Sequence, residues 1–300
     1  MPLSYHEEYD RIAELVHTVP RYVAMVDPKF LTHKFMPVLT WSVVYVWTIY
    51  AISMGTGRYY LCPKSTLLEL HLGSHKVTHF LGNVSIATLG LYYYFVALPS
   101  DPSVEDKVAG FREIYPLCCL QIAKQTWALL VGAMMYWTNQ QNKGERLVNY
   151  AHHGAVAVVA LYLSCFTIGI RYYVPFMLGV TEVSSIFLAG AEAMKEYPEQ
   201  GRKQFPGLYS AFQACFALSF LWIRCFCFLP QAWVFLRYGL FIVISAHHSS
   251  WIIAAPAWLA WLAGSFLVGL QAFWGVLIIK KTMQFPRLRK DANLEKINKE

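Results

Sequence analysis

Four ionisable side chains lie within long apolar stretches of this sequence: Lys124, Glu182, Glu192 and Arg224. A charge at bilayer depth costs about 2.5–3.5 kcal/mol on insertion scales, so each needs a partner or a task. His79 and the adjacent pair His152-His153 join them as groups able to exchange protons near neutral pH. Two readings are open. Ion pairs, for example Lys124 with Glu182 or Arg224 with Glu192, would fix helix packing, because a buried charge without a partner is costly. Alternatively, Thr181, Ser184 and Ser185 surround Glu182 with polar groups in mid-membrane, which points to a hydrated cavity or a lipid-headgroup site. The histidine pair, at the opening of its apolar stretch, can cap a helix, sit among headgroups, or serve as base or ligand.

The elements that must position these residues are transmembrane helices. The chain has 300 residues, of which 56% are hydrophobic and 14% charged, too little polar surface for a soluble protein of this size. Apolar runs of about 20 residues recur, and aromatic residues gather at their ends, as in Tyr92-Tyr93-Tyr94, Tyr136-Trp137 and Tyr172-Tyr173. The fold class predicted is all-α, a polytopic transmembrane bundle of about seven spans. They are placed near 35–54, 77–98, 114–137, 150–169, 172–194, 207–229 and 257–279. Residues 55–76 read as a connection after Gly55 and Gly57. The stretch 233–256 holds Arg237, His247, His248 and Pro256, and its uninterrupted apolar core is too short to span. It reads as an interfacial or re-entrant element. An eighth span would place the N-terminus and the tail on the same side.

In domain terms, 1–34 is a polar segment with an amphipathic helix near 5–18 at the membrane surface. Residues 35–280 form the membrane domain, and 281–300 a basic cytosolic tail. The net charge of +7 reflects this distribution, not nucleic-acid binding. With the tail inside, cytosolic segments hold about 15 Lys and Arg and external ones about 8. The opening MPLSYHEEYDRIAEL lacks the layout of a secretory or mitochondrial signal. The seven cysteines read as small core residues, and Cys225 with Cys227 has no second pair to build a zinc site. No metal and no cofactor is expected.

From about 115 to 280, and by extension from 75, the order of motifs resembles the TLC domain of membrane lipid proteins. Trp127 lies in the third span and His152-His153 opens the fourth. TEVSSIFLAGAEAMK (Thr181 to Lys195) follows about 30 residues later. Arg224 then precedes Pro230, and LQAFWGVLIIKK runs into the basic tail. Ceramide synthases of this family carry in the fifth span a His-Asp pair and a second Asp three residues on. Thr181, Glu182 and Ser185 occupy those positions here, so only the acidic character of one survives. The pattern is closer to TLC-domain proteins outside the ceramide synthase group, some of which are implied in setting phospholipid composition. The resemblance implies the endoplasmic reticulum, with an organellar inner membrane as alternative.

Four functions follow from these readings. The first is a lipid-binding protein that influences membrane lipid composition, with His152, His153 and Glu182 as acid/base candidates and Lys124, Ser184, Ser185, Arg224 and His79 as lipid-binding residues. The second is an acyl-CoA-dependent acyltransferase with His152 or His153 as general base. The third is a di-iron oxidase, since His71, His75 and His79 share one helix face. However, Asn149 and Ile244 stand where two histidine boxes need their first histidine. The fourth is a structural subunit among other membrane subunits. Membrane lipids are the expected partners. His152 near one face and Glu182 at mid-depth differ by roughly 10 Å at 1.5 Å per residue, which lets them line one cavity but argues against direct contact.

Overall fold

The computed structural model describes residues 4–18, 28–58, 66–136, 143–166, 170–196, 202–249 and 251–297. Cys62, the centre of the connection at 55–76, the start of that at 138–149, and residues 298–300 lie outside the described residues. So do the side chains of the basic tail from 284 onward.

Helix α1 (Tyr5–Thr18) comes first. A short turn, α2 (Pro28–Phe30), passes through a π-helical segment, Leu31–Phe35, into α3 (Met36–Thr56). Next come α4 (Leu67–Tyr92), α5 (Val104–Ala109), α6 (Tyr115–Tyr136) and α7 (Lys143–Cys165). The fifth crossing is composite: a 3-10 turn, Arg171–Tyr173, a π segment, Pro175–Val180, and α8 (Glu182–Glu196). Helix α9 (Pro206–Ser219), a π segment, Phe220–Cys227, and α10 (Phe228–Ser249) follow, then α11 (Trp251–Ile297). Among the described residues the structure is all-helical, and seven helices are long and apolar enough to cross a membrane.

Three expectations are corrected. The connection expected to reach residue 76 ends at Thr66, whose side chain accepts from the Glu69 N–H while Glu69 reaches back to the Thr66 N–H. This capping box starts α4 about ten residues early, although the first turns are not strongly apolar. Helix α7 starts at Lys143, so His152-His153 lies more than two turns inside it rather than at its opening. The stretch 233–256 is not a separate re-entrant element. Its first part, α10, continues the sixth crossing, and helix Pro206–His248 runs 43 residues, about 65 Å long. Pro230 has no N–H to give its preceding turn, and the π segment directly upstream absorbs the mismatch without ending the helix.

Helix α1 explains the polar residues of α10. Ile12 and Val16, one turn apart, are fully buried. Glu8 pairs with Arg237 and accepts from Tyr238 Oη at 3.0 Å, and Arg11 pairs with Glu105 at 3.0 Å. The amphipathic helix therefore packs on the bundle end, against α10 and α5.

The bundle surrounds a central space. Helices α4, α6, α7, α11 and the Phe220–Cys227 segment follow one another around it, α9 continues from that segment onto α8, and α8 closes the ring on α4; α3 lies outside on α4 and α6. Gly90 of α4 and Gly179 of the fifth crossing meet backbone to backbone. A Cβ at Gly90 would lie 2.4 Å from the Gly179 Cα. Cys118 and Cys119 are buried as expected, whereas Cys215 is exposed on α9 and is not a core residue.

Candidate functional site

Glu182 sits at the centre of a buried charge cluster. Its Oε2 is 3.6 Å from Lys124 Nζ and 3.8 Å from Arg224 Nη2. All three side chains are more than nine-tenths buried, so these are low-dielectric contacts that must satisfy each charge completely. The expected Lys124–Glu182 pair forms. The expected Arg224–Glu192 pair does not, because Arg224 turns to Glu182 while Glu192 pairs with Lys76 at 2.5 Å.

Two π segments shape this cluster. Across Pro175–Val180 the turn widens, and the Thr181 N–H donates to the Phe176 carbonyl five residues back. Backbone carbonyls here accept from side chains: Leu178 O from Gln121 Nε2, and Thr181 O from Arg224 Nε at 3.1 Å. The second π segment carries Arg224 itself. Its donors also reach Ser184 Oγ at 2.7 Å, Ser185 Oγ at 2.7 Å and Gln271 Oε1 at 3.0 Å. A guanidinium in a membrane protein needs this many acceptors, because none can come from the hydrocarbon.

Helix α6 contributes a second strand of the network. Gln121 Nε2 reaches Glu182 Oε1 at 3.4 Å, Gln125 Nε2 donates to Gln121 Oε1 at 2.7 Å, and Gln125 Oε1 meets His153 Nδ1 at 2.5 Å. Lys124 donates to Asn83 Oδ1 on α4. The sequence reading passed over Asn83, Gln121, Gln125 and Gln271. Their signal was an uncharged amide in a span, with Gln121, Lys124 and Gln125 on one helix face.

A cavity of about 690 Å³ opens above the cluster, within the range of small-molecule sites. His79, Lys124, His152, His153, Glu182, Ser185 and Arg224 all line it. Ser184 is fully buried against Arg224 and does not line it. His152 and Glu182 thus line one chamber.

The imidazoles form a row along one wall. The ring centroids of His75 and His79 are 4.5 Å apart, those of His79 and His153 5.7 Å, and those of His153 and His152 5.4 Å. Trp127 packs on His75 and His79. His71 lies apart, hydrogen-bonded to Tyr50, so the three-histidine face is divided between two environments. Among the described residues no group of three His, Cys, Asp or Glu is arranged to hold a metal ion. His152 Nδ1 is buried with no hydrogen-bond partner, an unusual state for a polar atom beside a cavity.

Neither the curated proteins nor the solved structures provide a match to this chain. The family profile described as TLC domain matches residues 38–280. That interval holds every residue of the charge cluster, the histidine row and the cavity lining except Lys281. With seven membrane-crossing helices and a match over most of its length, the chain is an integral membrane protein belonging to the TLC domain family.

Proposed function

We propose that this protein binds a membrane lipid in its central cavity and thereby influences membrane lipid composition, without making ceramide. The observation that carries this reading is the cavity of about 690 Å³ with the Lys124–Glu182–Arg224 cluster as its floor. Polar groups at the floor and at the end that carries Lys280 and Lys281 suit the polar parts of a lipid, and apolar residues such as Leu188, Phe216 and Leu277 on the walls suit acyl chains. Thr181 and Ser185 stand where the ceramide synthase pattern has its His and its second Asp, while Glu182 keeps the acidic character of the first Asp. Thr181 Oγ1 is engaged with the Met177 carbonyl at 2.7 Å and Ser185 Oγ with Arg224. Both positions are thus occupied by structural hydrogen bonds rather than by proton-transfer groups. Extracting the lipids that copurify with the protein tests the reading. One class should be enriched over the surrounding membrane, and comparison of cells with and without the protein should shift that class. No enrichment and no shift would reject it.

A second reading rests on the histidine pair. His152 and His153 both line the cavity, where an imidazole could act as general base in acyl transfer from acyl-CoA. The acceptor amine or hydroxyl would attack the thioester carbonyl and His152 would take its proton. The carbon–sulfur bond would break, and the proton would pass to the leaving thiolate. Purified protein with acyl-CoA and candidate acceptors tests this. Turnover lost in His152→Ala supports it, and turnover surviving alanine at both His152 and His153 excludes these roles.

A further inference from the structure

The cavity carries more positive than negative charge. Lys76, Lys124, Arg224, Lys280 and Lys281 line it against Glu182 and Glu192, five cations to two carboxylates. Glu182 compensates the floor and Glu192 is held by Lys76. Lys280 and Lys281 have no ion pair among the described residues. They stand at the end of the last crossing, where α11 leaves the apolar layer.

The ring of helices is also incomplete on that side. Helix α8 packs extensively on α4 and on α9, and α7 on α6 and on α11, whereas α9 and α11 do not pack comparably. Cys225 and Gly275 make close contact, yet beyond them α9 and α11 have no comparable packing among the described residues. Phe216 and Leu277 flank this seam and face the cavity. The gap opens sideways, and Lys280 and Lys281 follow Leu277 and Ile278 on α11 among the cavity-lining residues.

Resting on the lipid-binding reading above, we propose that the ligand is a net-anionic phospholipid. Its phosphate is held by Lys280 and Lys281, and it reaches the cavity through the seam between α9 and α11. Basic residues at the membrane surface attract anionic headgroups, and a lateral seam admits acyl chains without exposing them to water. A soluble phosphate shares the headgroup chemistry but has no use for the apolar walls.

Full-length protein in neutral detergent, titrated with phosphatidylglycerol and with phosphatidylcholine of the same chains and followed by native mass spectrometry, tests the proposal. Wild type should prefer phosphatidylglycerol by about tenfold. The double variant Lys280→Gln, Lys281→Gln should lose that preference while still taking up phosphatidylcholine. A second variant, Ala189→Phe, fills the cavity from α8. It should lose tightly held lipid of both kinds, whereas persistence of the preference would place the anionic lipid on the outer surface and overturn the proposal. Glycerol 3-phosphate should compete poorly, and competition equal to that of the lipid would overturn the lipid assignment. Retention of both lipids without preference would overturn this inference alone. Retention of neither would reject lipid binding itself.

Discussion

At the residue scale the decisive group is Glu182, which faces two buried cations. Replacing it with Gln keeps the shape but leaves Lys124 and Arg224 uncompensated in a low-dielectric site, a loss of about 3–5 kcal/mol. The expected outcome is a clear drop in thermal stability in detergent. Lys124→Met should cost less, because Arg224 still compensates Glu182; an equal loss would show that Lys124 dominates the cluster. The charges were legible in the sequence because ionisable residues stand out in apolar runs. Their partners were less so: Arg224 finds Glu182 rather than Glu192 only because the helix carrying it has a π segment, which no residue spacing announces. The amides Asn83, Gln121, Gln125 and Gln271 were hidden for a different reason. They carry no charge, and their role comes from convergence of α4, α6 and α11, which is tertiary.

At the element scale, backbone proximity and helix termini set the geometry. Gly90 and Gly179 bring α4 and the fifth crossing to contact just before Glu182. Gly179→Ala should push the two helices apart at a cost of about 1–3 kcal/mol, the range for overpacking. Gly55→Ala, with nothing within 4 Å of its added Cβ, should be neutral or slightly stabilising. Comparing their melting temperatures checks this, and equal effects would contradict the close-approach argument. Helix α1 offers a second test. Arg237→Gln removes the partner of Glu8 and should release α1, seen as faster amide exchange across 5–18 with the spans unchanged. The sequence suggested α1 from its periodicity, and Ile12 with Val16 gave its buried stripe. It did not reveal that α10 would receive it, so Arg237 looked like evidence against a helix crossing instead of a docking group. The early start of α4 was readable in Thr66 and Glu69, but the weakly apolar turns after them masked the cap.

At the scale of the whole molecule, seven crossings place α1 and the end of α11 on opposite faces. Tags at the two termini should therefore show opposite protease accessibility in sealed vesicles, and equal accessibility would require an even number of crossings. The positive-inside distribution predicts that the face with Lys280 and Lys281 is cytosolic. The cavity opens toward that face, while α1, α5 and the turn at Arg171 pack at the other. Composition and length made the bundle readable almost completely, since water-free surroundings leave helices as the only economical answer for such runs. The chamber was not readable, because it is the space between elements. The most direct measurement is an experimental structure of the protein extracted with its native lipids retained. Lipid density inside the cavity is the expected result, with the phosphate beside Lys280 and Lys281 and acyl chains along the apolar walls. A cavity closed by side chains, with lipid ordered only around the outer surface, would contradict it.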